Sequence, residues 1–541
     1  MPASISSGSP DTVARPAASC QAGGRGARDL PPPSPAESSH RVLARSISWL
    51  TAGQVTTWAL TLAWTVYVPR RLGSAQVGVF TLSAAVGGVL MVIIGLGMRP
   101  LLVREVASHP DRAPRLVGAA IILRAIFGVP ALGVTLLLAW LGPFHGEEAL
   151  AVLIGWGSCL STSLVEPISA GFQGQEKMRY LAYYGTLGSV LSTVSGIILV
   201  SLGVHAIGLL LAGVSLATLN GVLLLAWSRS HFRVDLAVGR RELWDLLVRS
   251  LPYWSFAAFY TVYLWIDSLM LGAMTTSSVL GWYGVPTRLF GTLLFIPTIL
   301  STAWLPRLAR AHTQGGRVEL LGSARPAVQA TIVLSLPVCV GAVLVAEPLI
   351  QALYGPGFSE SAPVFAVLAL CIPPMYLNIM ANQIMVARDQ QMVWTKMMIL
   401  ASVVNPIANL FLIPYFQRTQ GNGALGAAVA MLITEVILAG IGAHLISDAF
   451  TRGVWARVAR AAIATAGMGG LVTLALRVDL AAGIGAGVGA FTALALLLRV
   501  VDGEERERAW VLIRGAVAGR VSPRRPVTGE GLDAARGRGP W

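Results

Sequence analysis

Residues 251–290 read LPYWSFAAFYTVYLWIDSLMLGAMTTSSVLGWYGVPTRLF. The segment is apolar enough to cross a bilayer twice, yet it contains one acid, Asp267, and one base, Arg288. With helices near 252–273 and 281–303, both charges lie about 10 Å below the same membrane surface, at a rise of about 1.5 Å per residue. Because an unpaired charge at that depth costs several kcal/mol, the pattern predicts an ion pair between two neighbouring helices.

The composition of the whole chain also indicates a protein that crosses a membrane. Of its 541 residues, 55% are hydrophobic and only 12% are charged, which is typical of a membrane protein. Apolar runs of about 20 residues recur from Ser46 to Val500, whereas a membrane β-barrel would show short alternating segments. We therefore predict an all-α integral membrane protein.

Charged and Gly/Pro-rich breaks divide the apolar runs into about fourteen expected transmembrane helices. These lie near residues 46–68, 78–98, 115–140, 148–171, 182–203, 205–227, 252–273, 281–303, 327–347, 362–387, 393–414, 423–446, 456–476 and 480–500. The loops between them fall into two alternating sets, one with 20 Lys and Arg residues and the other with 4. Basic loops stay in the cytoplasm, so we predict a multi-pass protein of the cytoplasmic membrane with both termini cytoplasmic.

The two ends of the chain differ from its centre. They are rich in Pro, Gly, Ser and Arg, and no apolar signal-peptide segment is evident, so we expect two disordered cytoplasmic tails. The net charge of +14 is spread over short loops and tails rather than one stripe, which argues against a nucleic-acid partner. The expected divisions are a tail at 1–40, a lobe at 41–228, a cytoplasmic linker at 229–250, a second lobe at 251–447, two extra helices at 448–500 and a tail at 501–541.

The two expected lobes share weak internal repeats. RRLGSAQVGVF at residues 70–80 matches MLGAMTTSSVLGWYG at 270–284, so that Gly78 corresponds to Gly281. Two further pairs follow in the same order, QGQEKMRYL with ARDQQMVWT and Ala206-Ile207-Gly208 with Ala424-Leu425-Gly426. Six helices is an even number, so the two copies keep the same orientation. We expect two six-helix lobes related by pseudo-twofold symmetry about the membrane normal, plus a two-helix C-terminal appendix.

Four segments carry a resemblance to a known family: RRLGSAQVGVF, GLGMRPLLVREVA, FQGQEKMRYLA and WIDSLMLG with VLGWYGVPTRL. Over residues 41–500 the chain resembles the polysaccharide or oligosaccharide repeat-unit flippases of the multidrug/oligosaccharidyl-lipid/polysaccharide superfamily. The resemblance implies two six-helix lobes around a central cavity and alternating access. It also implies that a polyprenyl-diphosphate-linked oligosaccharide is moved to the outer leaflet for polysaccharide export. Fourteen helices are also similar to the peptidoglycan-precursor branch, which stays open.

Charged residues within apolar helices are the first candidates for a functional site. Arg288 is a candidate to bind the diphosphate. Asp267 would hold the Arg288 side chain in place or exchange with the diphosphate during transport. A permanent structural ion pair between the two helices is the equal alternative.

Three further charges lie within the spans. Arg124 and Glu166 fall at similar depths on the third and fourth helices, which predicts a second pair, either structural or in the cavity. Pro167 leaves one backbone carbonyl of the fourth helix without its usual donor. Glu435 has no base at matching depth on either neighbouring helix, so it carries a proton or meets a cation such as H+ or Na+, or is simply a neutral, hydrogen-bonded acid.

Amide side chains on two later helices are the remaining site candidates. Asn378, Asn382 and Asn405 could bind sugar hydroxyls, although hydrogen bonds between helices are the more common role of such residues. Gln383 and Asn409 lie beside them.

Other function classes find less support in the sequence. No Walker A, HExxH or GxSxG motif is present, so we predict neither an enzyme nor a cofactor or metal site. A glycan polymerase or ligase would need a sizeable outer domain, whereas the longest expected outer loop, AEPLIQALYGPGFSESA, has no base. A multidrug or cation antiporter of the same superfamily stays open. The expected partners are a lipid-linked oligosaccharide, membrane lipids, and a polysaccharide polymerase or glycosyltransferase.

Overall fold

The computed structural model describes residues 60–500, and all regular structure in that range is helical. The α-helices are α1 (60–72), α2 (Ser74–Gly95), α3 (Met98–Ser108), α4 (Ala113–Leu141), α5 (Glu147–Gly174), α6 (Met178–Ser201), α7 (Ala206–Ser228), α8 (Arg240–Met274), α9 (Ser277–Leu293), α10 (Phe295–Tyr354), α11 (Ser361–Leu370), α12 (Ile372–Ala387), α13 (Gln391–Gln420), α14 (Gly423–Leu445), α15 (Arg452–Ala475) and α16 (Leu480–Leu497). The predicted all-α fold is confirmed for this range.

Most of the expected spans correspond to observed helices. Twelve helical segments are long and apolar enough to cross a membrane, and the pair α11 and α12, bent by 42°, makes a thirteenth if it is one span. The expected first helix, 46–68, lies mostly outside the described residues, and α1 covers only its end. The total of fourteen spans therefore stays a prediction, as do the two tails, which also lie outside the described residues.

Several helices extend into segments that we expected to be loops. α8 begins at Arg240, so the second half of the expected linker 229–250 is helical. α9 continues through the first part of α10, making one apolar helical segment from Ser277 to Gln314. α10 breaks only at Gly316, whose φ of 64° is outside the helical range and is tolerated by glycine because it has no Cβ.

The two halves of the chain pack by one plan. In the first half, α2 packs against α5, which also contacts α4 and α7. In the second half, α9 packs against α11, and the bent pair α11 and α12 contacts α10 and α14. We call α1–α7 the N-lobe and α8–α14 the C-lobe. The appendix of α15 and α16 packs against α10.

The lobes meet most closely where α2 crosses α9. A Cβ on Gly78 of α2 would overlap the backbone carbonyl of Ser277, and a Cβ on Gly281 of α9 would overlap the carbonyl of Ser74. The two glycines are the pair that the internal repeat aligns, so the crossing is itself symmetric. Only glycine permits so close an approach of two helix backbones.

The two ends of the helices differ in charge. We call the end that carries the Lys- and Arg-rich loops the basic end. The glycine crossing lies towards the opposite end, where two polar contacts also join the lobes. The hydroxyl of Ser277 donates to Glu148, and Arg70 Nη1 donates to the carbonyl of Ala352 at 3.1 Å. The lobes are therefore closed against each other at the end away from the basic loops.

Candidate functional site

A cavity of about 910 Å³ lies between the lobes towards the basic end. The N-lobe contributes the last turns of α2 together with α3, α4 and α5, and the C-lobe contributes α8, α12 and α13. Pockets that bind small molecules have volumes of about 300–1,000 Å³, so this cavity has room for a headgroup of several rings.

The charged groups of the cavity lie on its N-lobe wall. Arg124 Nη2 contacts Glu166 Oε2 at 2.6 Å, which confirms the predicted pair between α4 and α5. The Arg124 side chain is fully buried, while that of Glu166 is 20% exposed. Arg99 Nη1 approaches the other oxygen, Glu166 Oε1, at 3.6 Å. One carboxylate thus faces two arginines, and the wall keeps one excess positive charge.

The local sequence explains how Arg124 is held. Pro167 has no N–H, so it cannot donate to the carbonyl of Ser163, four residues earlier in α5. Arg124 Nη1 donates to this carbonyl instead, at 2.6 Å. The proline beside Glu166 therefore supplies a second acceptor for the same guanidinium, which fixes its orientation.

The predicted ion pair between Asp267 and Arg288 is wrong. Asp267 accepts hydrogen bonds from the Tyr283 hydroxyl at 2.9 Å and from Asn409 Nδ2 at 2.5 Å. No ion pair among the described residues includes either Asp267 or Arg288. The guanidinium of Arg288 lies over the rings of Trp64 and Phe80, at 5.0 and 5.3 Å from their centroids.

Helix packing is the reason for this difference. α8 and α9 are consecutive in the chain, but α8 packs mainly against α2 and α13. Asp267 therefore meets Asn409 of α13. At about 100° per residue, Arg288 points about 140° away from Tyr283, the residue of α9 that does reach Asp267. Equal depth along two neighbouring helices does not determine the direction in which a side chain points.

Glu435 forms a second acid cluster inside the C-lobe. Its carboxylate accepts hydrogen bonds from the hydroxyl of Tyr263 and, at 2.7 Å, from Asn378 Nδ2. As expected, no base among the described residues forms an ion pair with it. Sequence reasoning missed the two tyrosines that donate to the acids, Tyr263 and Tyr283. A tyrosine in an aromatic-rich helix carries no signal in the sequence that its hydroxyl faces an acid.

The candidate asparagines separate into two groups. Asn378 and Asn405 are buried in the C-lobe, where Asn378 binds Glu435 and Asn405 Oδ1 accepts from Asn409 Nδ2 at 2.7 Å. Of the three candidates, only Asn382 lines the cavity between the lobes. The first two are therefore hydrogen-bonding residues of the acid clusters rather than residues of that cavity.

Arg288 lines two other cavities. One, of about 740 Å³, lies between α1 and the helices α9 and α10, and four of its described lining residues are threonines. The other, of about 310 Å³, reaches from Arg288 to Asp267. Arg288 does not line the cavity that contains Arg124, so its role as a diphosphate ligand stays a prediction.

Two family models match the chain. The model described as polysaccharide biosynthesis protein matches residues 43–312, and the model described as MatE matches residues 256–411. The two matches overlap in α8, α9 and the first part of α10, and together they run through most of both lobes.

Two relatives come from Haloferax volcanii. The chain is 24% identical to a probable flippase, AglR, over 69% of this chain and 77% of that protein. It is 22% identical to a probable low-salt glycan biosynthesis flippase, Agl15, over 71% of this chain and 79% of that protein.

Two solved structures have a similar fold. The lipid II flippase MurJ in an inward closed conformation has a TM-score of 0.67 at 13% identity, covering 83% of this chain and 98% of MurJ. An inward-facing MATE family transporter of the MOP superfamily has a TM-score of 0.59 at 16% identity, covering 73% and 95%. The family matches, the relatives and the shared fold agree, and the chain belongs to the multidrug/oligosaccharidyl-lipid/polysaccharide flippase superfamily.

Proposed function

We propose that this protein moves a polyprenyl-diphosphate-linked oligosaccharide across the cytoplasmic membrane by alternating access, for polysaccharide export. The observation that carries the proposal is the cavity of about 910 Å³ between the lobes, with Arg99 and Arg124 on one wall. A diphosphate is a dense anion that guanidinium groups bind through paired hydrogen bonds. The relatives named as glycan flippases support the same cargo.

Orientation follows from the distribution of basic residues. If the basic end faces the cytoplasm, the cavity is accessible from the cytoplasmic side and the glycine crossing closes the outer side. The headgroup then enters between the lobes while the lipid tail stays in the bilayer. Release requires α2 and α9 to separate near Gly78 and Gly281 and the basic end to close.

The charged residues have distinct roles in this cycle. Arg99 is 47% exposed and carries the charge that Glu166 leaves unbalanced, so it is the first contact for an entering diphosphate. Arg124 is fully buried against Glu166 and sets the position of that carboxylate. Arg288 has no acid partner among the described residues and lies over Trp64 and Phe80, where a diphosphate can bind at a later stage. Asn382 can bind sugar hydroxyls.

The acids of the C-lobe are suited to coupling transport to H+ or Na+. The oxygens Asn378 Oδ1 and Asn409 Oδ1 have no hydrogen-bond partner in the described structure, and each belongs to an amide that binds Glu435 or Asp267. Carboxylate and amide oxygens are the ligands that hard cations such as Na+ prefer. A proton or a sodium ion can bind there without displacing a base.

The test is flipping in vesicles that contain the purified protein and fluorescent polyprenyl-diphosphate sugars. Arg99→Ala should slow flipping at least tenfold while leaving expression unchanged. Arg477→Ala, an exposed arginine in the expected outer loop before α16, is the matched control and should behave as wild type. Failure of the wild-type protein to flip any of a broad set of such lipids would contradict the proposal.

Other cargoes within the superfamily are distinguished by the same vesicles. The MatE match over residues 256–411 favours drug or cation antiport as the second candidate, which dye efflux would reveal. A peptidoglycan precursor, whose sugars also carry a peptide, is a third cargo that the same vesicles can test. The expected polymerase or glycosyltransferase partner stays a prediction, which purification of the full chain from its native membrane would test.

A further inference from the structure

The two walls of the cavity between the lobes differ in chemistry. All of its charged lining residues in the described structure, Arg99, Arg124 and Glu166, belong to the N-lobe. All of its aromatic lining residues belong to the C-lobe: Tyr253, Trp254 and Tyr260 of α8, and Trp394 of α13. We call these four residues the aromatic wall.

The aromatic wall follows a helical pattern. Tyr253 and Tyr260 are seven residues apart, so they lie on one face of α8, two turns from each other. Thr261 of α8 also lines the cavity, as do Asn382 of α12 and Thr395 of α13. Aromatic rings and neutral hydrogen-bonding groups therefore share one side of the space.

Parts of this wall are held firmly in place. Trp254 Nε1 donates to the carbonyl of Val92 at 2.7 Å, and the backbone of Trp254 packs against Gly97. Trp394 is only 8% exposed and packs in the C-lobe core, whereas Tyr260 is 43% exposed. Aromatic residues often anchor a protein at the membrane surface. The Trp254 N–H instead binds a backbone carbonyl of the opposite lobe.

The chemistry of the wall suits one part of the substrate. A pyranose ring has C–H groups on its faces and hydroxyl groups around its rim. The faces of aromatic rings carry partial negative charge and attract C–H groups, while amide and hydroxyl side chains bind the rim. A diphosphate, by contrast, is repelled by the ring faces and attracted by the arginines opposite.

We propose that the aromatic wall binds the first sugar of the substrate and sets sugar selectivity, while the N-lobe wall holds the diphosphate. This inference rests on the proposed function. The substrate then lies across the lobe interface, with its two chemical parts on different lobes. Changes of sugar specificity should arise from α8, α12 and α13, and changes of affinity for the lipid diphosphate from α3, α4 and α5.

The experiment measures binding of two kinds of lipid to the full-length protein in nanodiscs. One is undecaprenyl diphosphate, and the other is a panel of the same lipid carrying single hexoses or N-acetylhexosamines. Wild type should bind at least one sugar lipid more tightly than the bare lipid. Tyr260→Ala should weaken binding of that sugar lipid about tenfold, or about 1.4 kcal/mol, and leave binding of the bare lipid within twofold of wild type.

Three further variants make the result specific. Tyr260→Phe keeps the ring and should retain most of the preference for the sugar lipid. Arg99→Ala should weaken binding of both lipids by the same factor. Tyr415→Ala removes an exposed tyrosine of α13 that does not line the cavity and should change neither affinity.

Two results would overturn the inference while leaving the proposed function intact. In one, Tyr260→Ala weakens both lipids equally or neither. In the other, wild type binds the bare lipid as tightly as every sugar lipid. If no diphosphate lipid binds at all, the proposed function itself fails.

Discussion

The N-lobe and the C-lobe are built by one packing plan, but the acids within their helices have different partners. In the N-lobe, Glu166 is balanced by Arg124 and Arg99. In the C-lobe, Asp267 and Glu435 accept hydrogen bonds from tyrosine hydroxyls and asparagine amides. The C-lobe acids form no ion pair among the described residues, and they are the groups that we propose to couple transport to a proton or a sodium ion. The two lobes thus share a packing plan and differ in the groups that surround their acids.

The largest expected effect comes from removing the acid of the N-lobe pair. Glu166→Ala leaves the Arg124 charge buried without its carboxylate, which should lower the free energy of unfolding by about 3–5 kcal/mol. Denaturant titration of the protein in detergent measures this. The double variant Arg124→Met with Glu166→Leu should recover much of the loss. Glu319→Ala, at an exposed position of α10, is the control, and an equal loss there would refute the prediction.

The next effect tests the part of the structure that the lobes share. Gly78→Ala and Gly281→Ala each place a methyl group against a carbonyl of the other lobe, so each should cost about 1–3 kcal/mol of unfolding free energy. Symmetry predicts similar losses for the two. Gly213→Ala on α7 has no atom within 4 Å of the added Cβ and should be neutral or stabilising. A harmless substitution in one lobe alone would show that the crossing is not symmetric in energy.

A smaller stability effect, with a distinct functional signature, is expected for the C-lobe acids. Asp267→Asn and Glu435→Gln keep the shape and one acceptor oxygen, so each should cost only about 0.5–1.5 kcal/mol of unfolding free energy. Flipping in vesicles with an imposed pH or Na+ gradient should lose its dependence on that gradient. Asp111→Asn, at an exposed position near the start of α4, serves as control. Unchanged gradient dependence in both acid variants would exclude them from coupling.

The smallest effect is expected for Arg288→Lys. Lysine keeps the charge but loses the flat guanidinium over Trp64 and Phe80, which should cost about 0.5–1 kcal/mol of unfolding free energy. A double-mutant cycle with Asp267→Asn should be additive within about 0.5 kcal/mol, since no ion pair or hydrogen bond in the described structure joins the two residues. A coupling energy well above that value would mean that Asp267 and Arg288 do interact.

The same sequence argument gave one correct and one incorrect pair, and the contrast is instructive. Equal depth predicted both Arg124 with Glu166 and Asp267 with Arg288. The first holds because α4 and α5 pack directly against each other. The second fails because α8 packs chiefly against α2 and α13, so Asp267 meets Asn409 of α13 rather than Arg288 of α9. The depth of a residue can be counted along its helix. The sequence does not show which helices are neighbours or in which direction each side chain points.

The sequence by itself determined the membrane class, nearly all the described spans and the repeat that aligns Gly78 with Gly281. These follow from local rules, because about 20 apolar residues are needed to cross a bilayer and the repeats are matched residue by residue. Only the tertiary structure decided which acids meet bases, that Asn378 and Asn405 serve the C-lobe acids, and that aromatic and charged residues face each other across one cavity. Those outcomes depend on which helices touch and on how each is rotated about its axis, and both are set by packing between segments far apart in the chain.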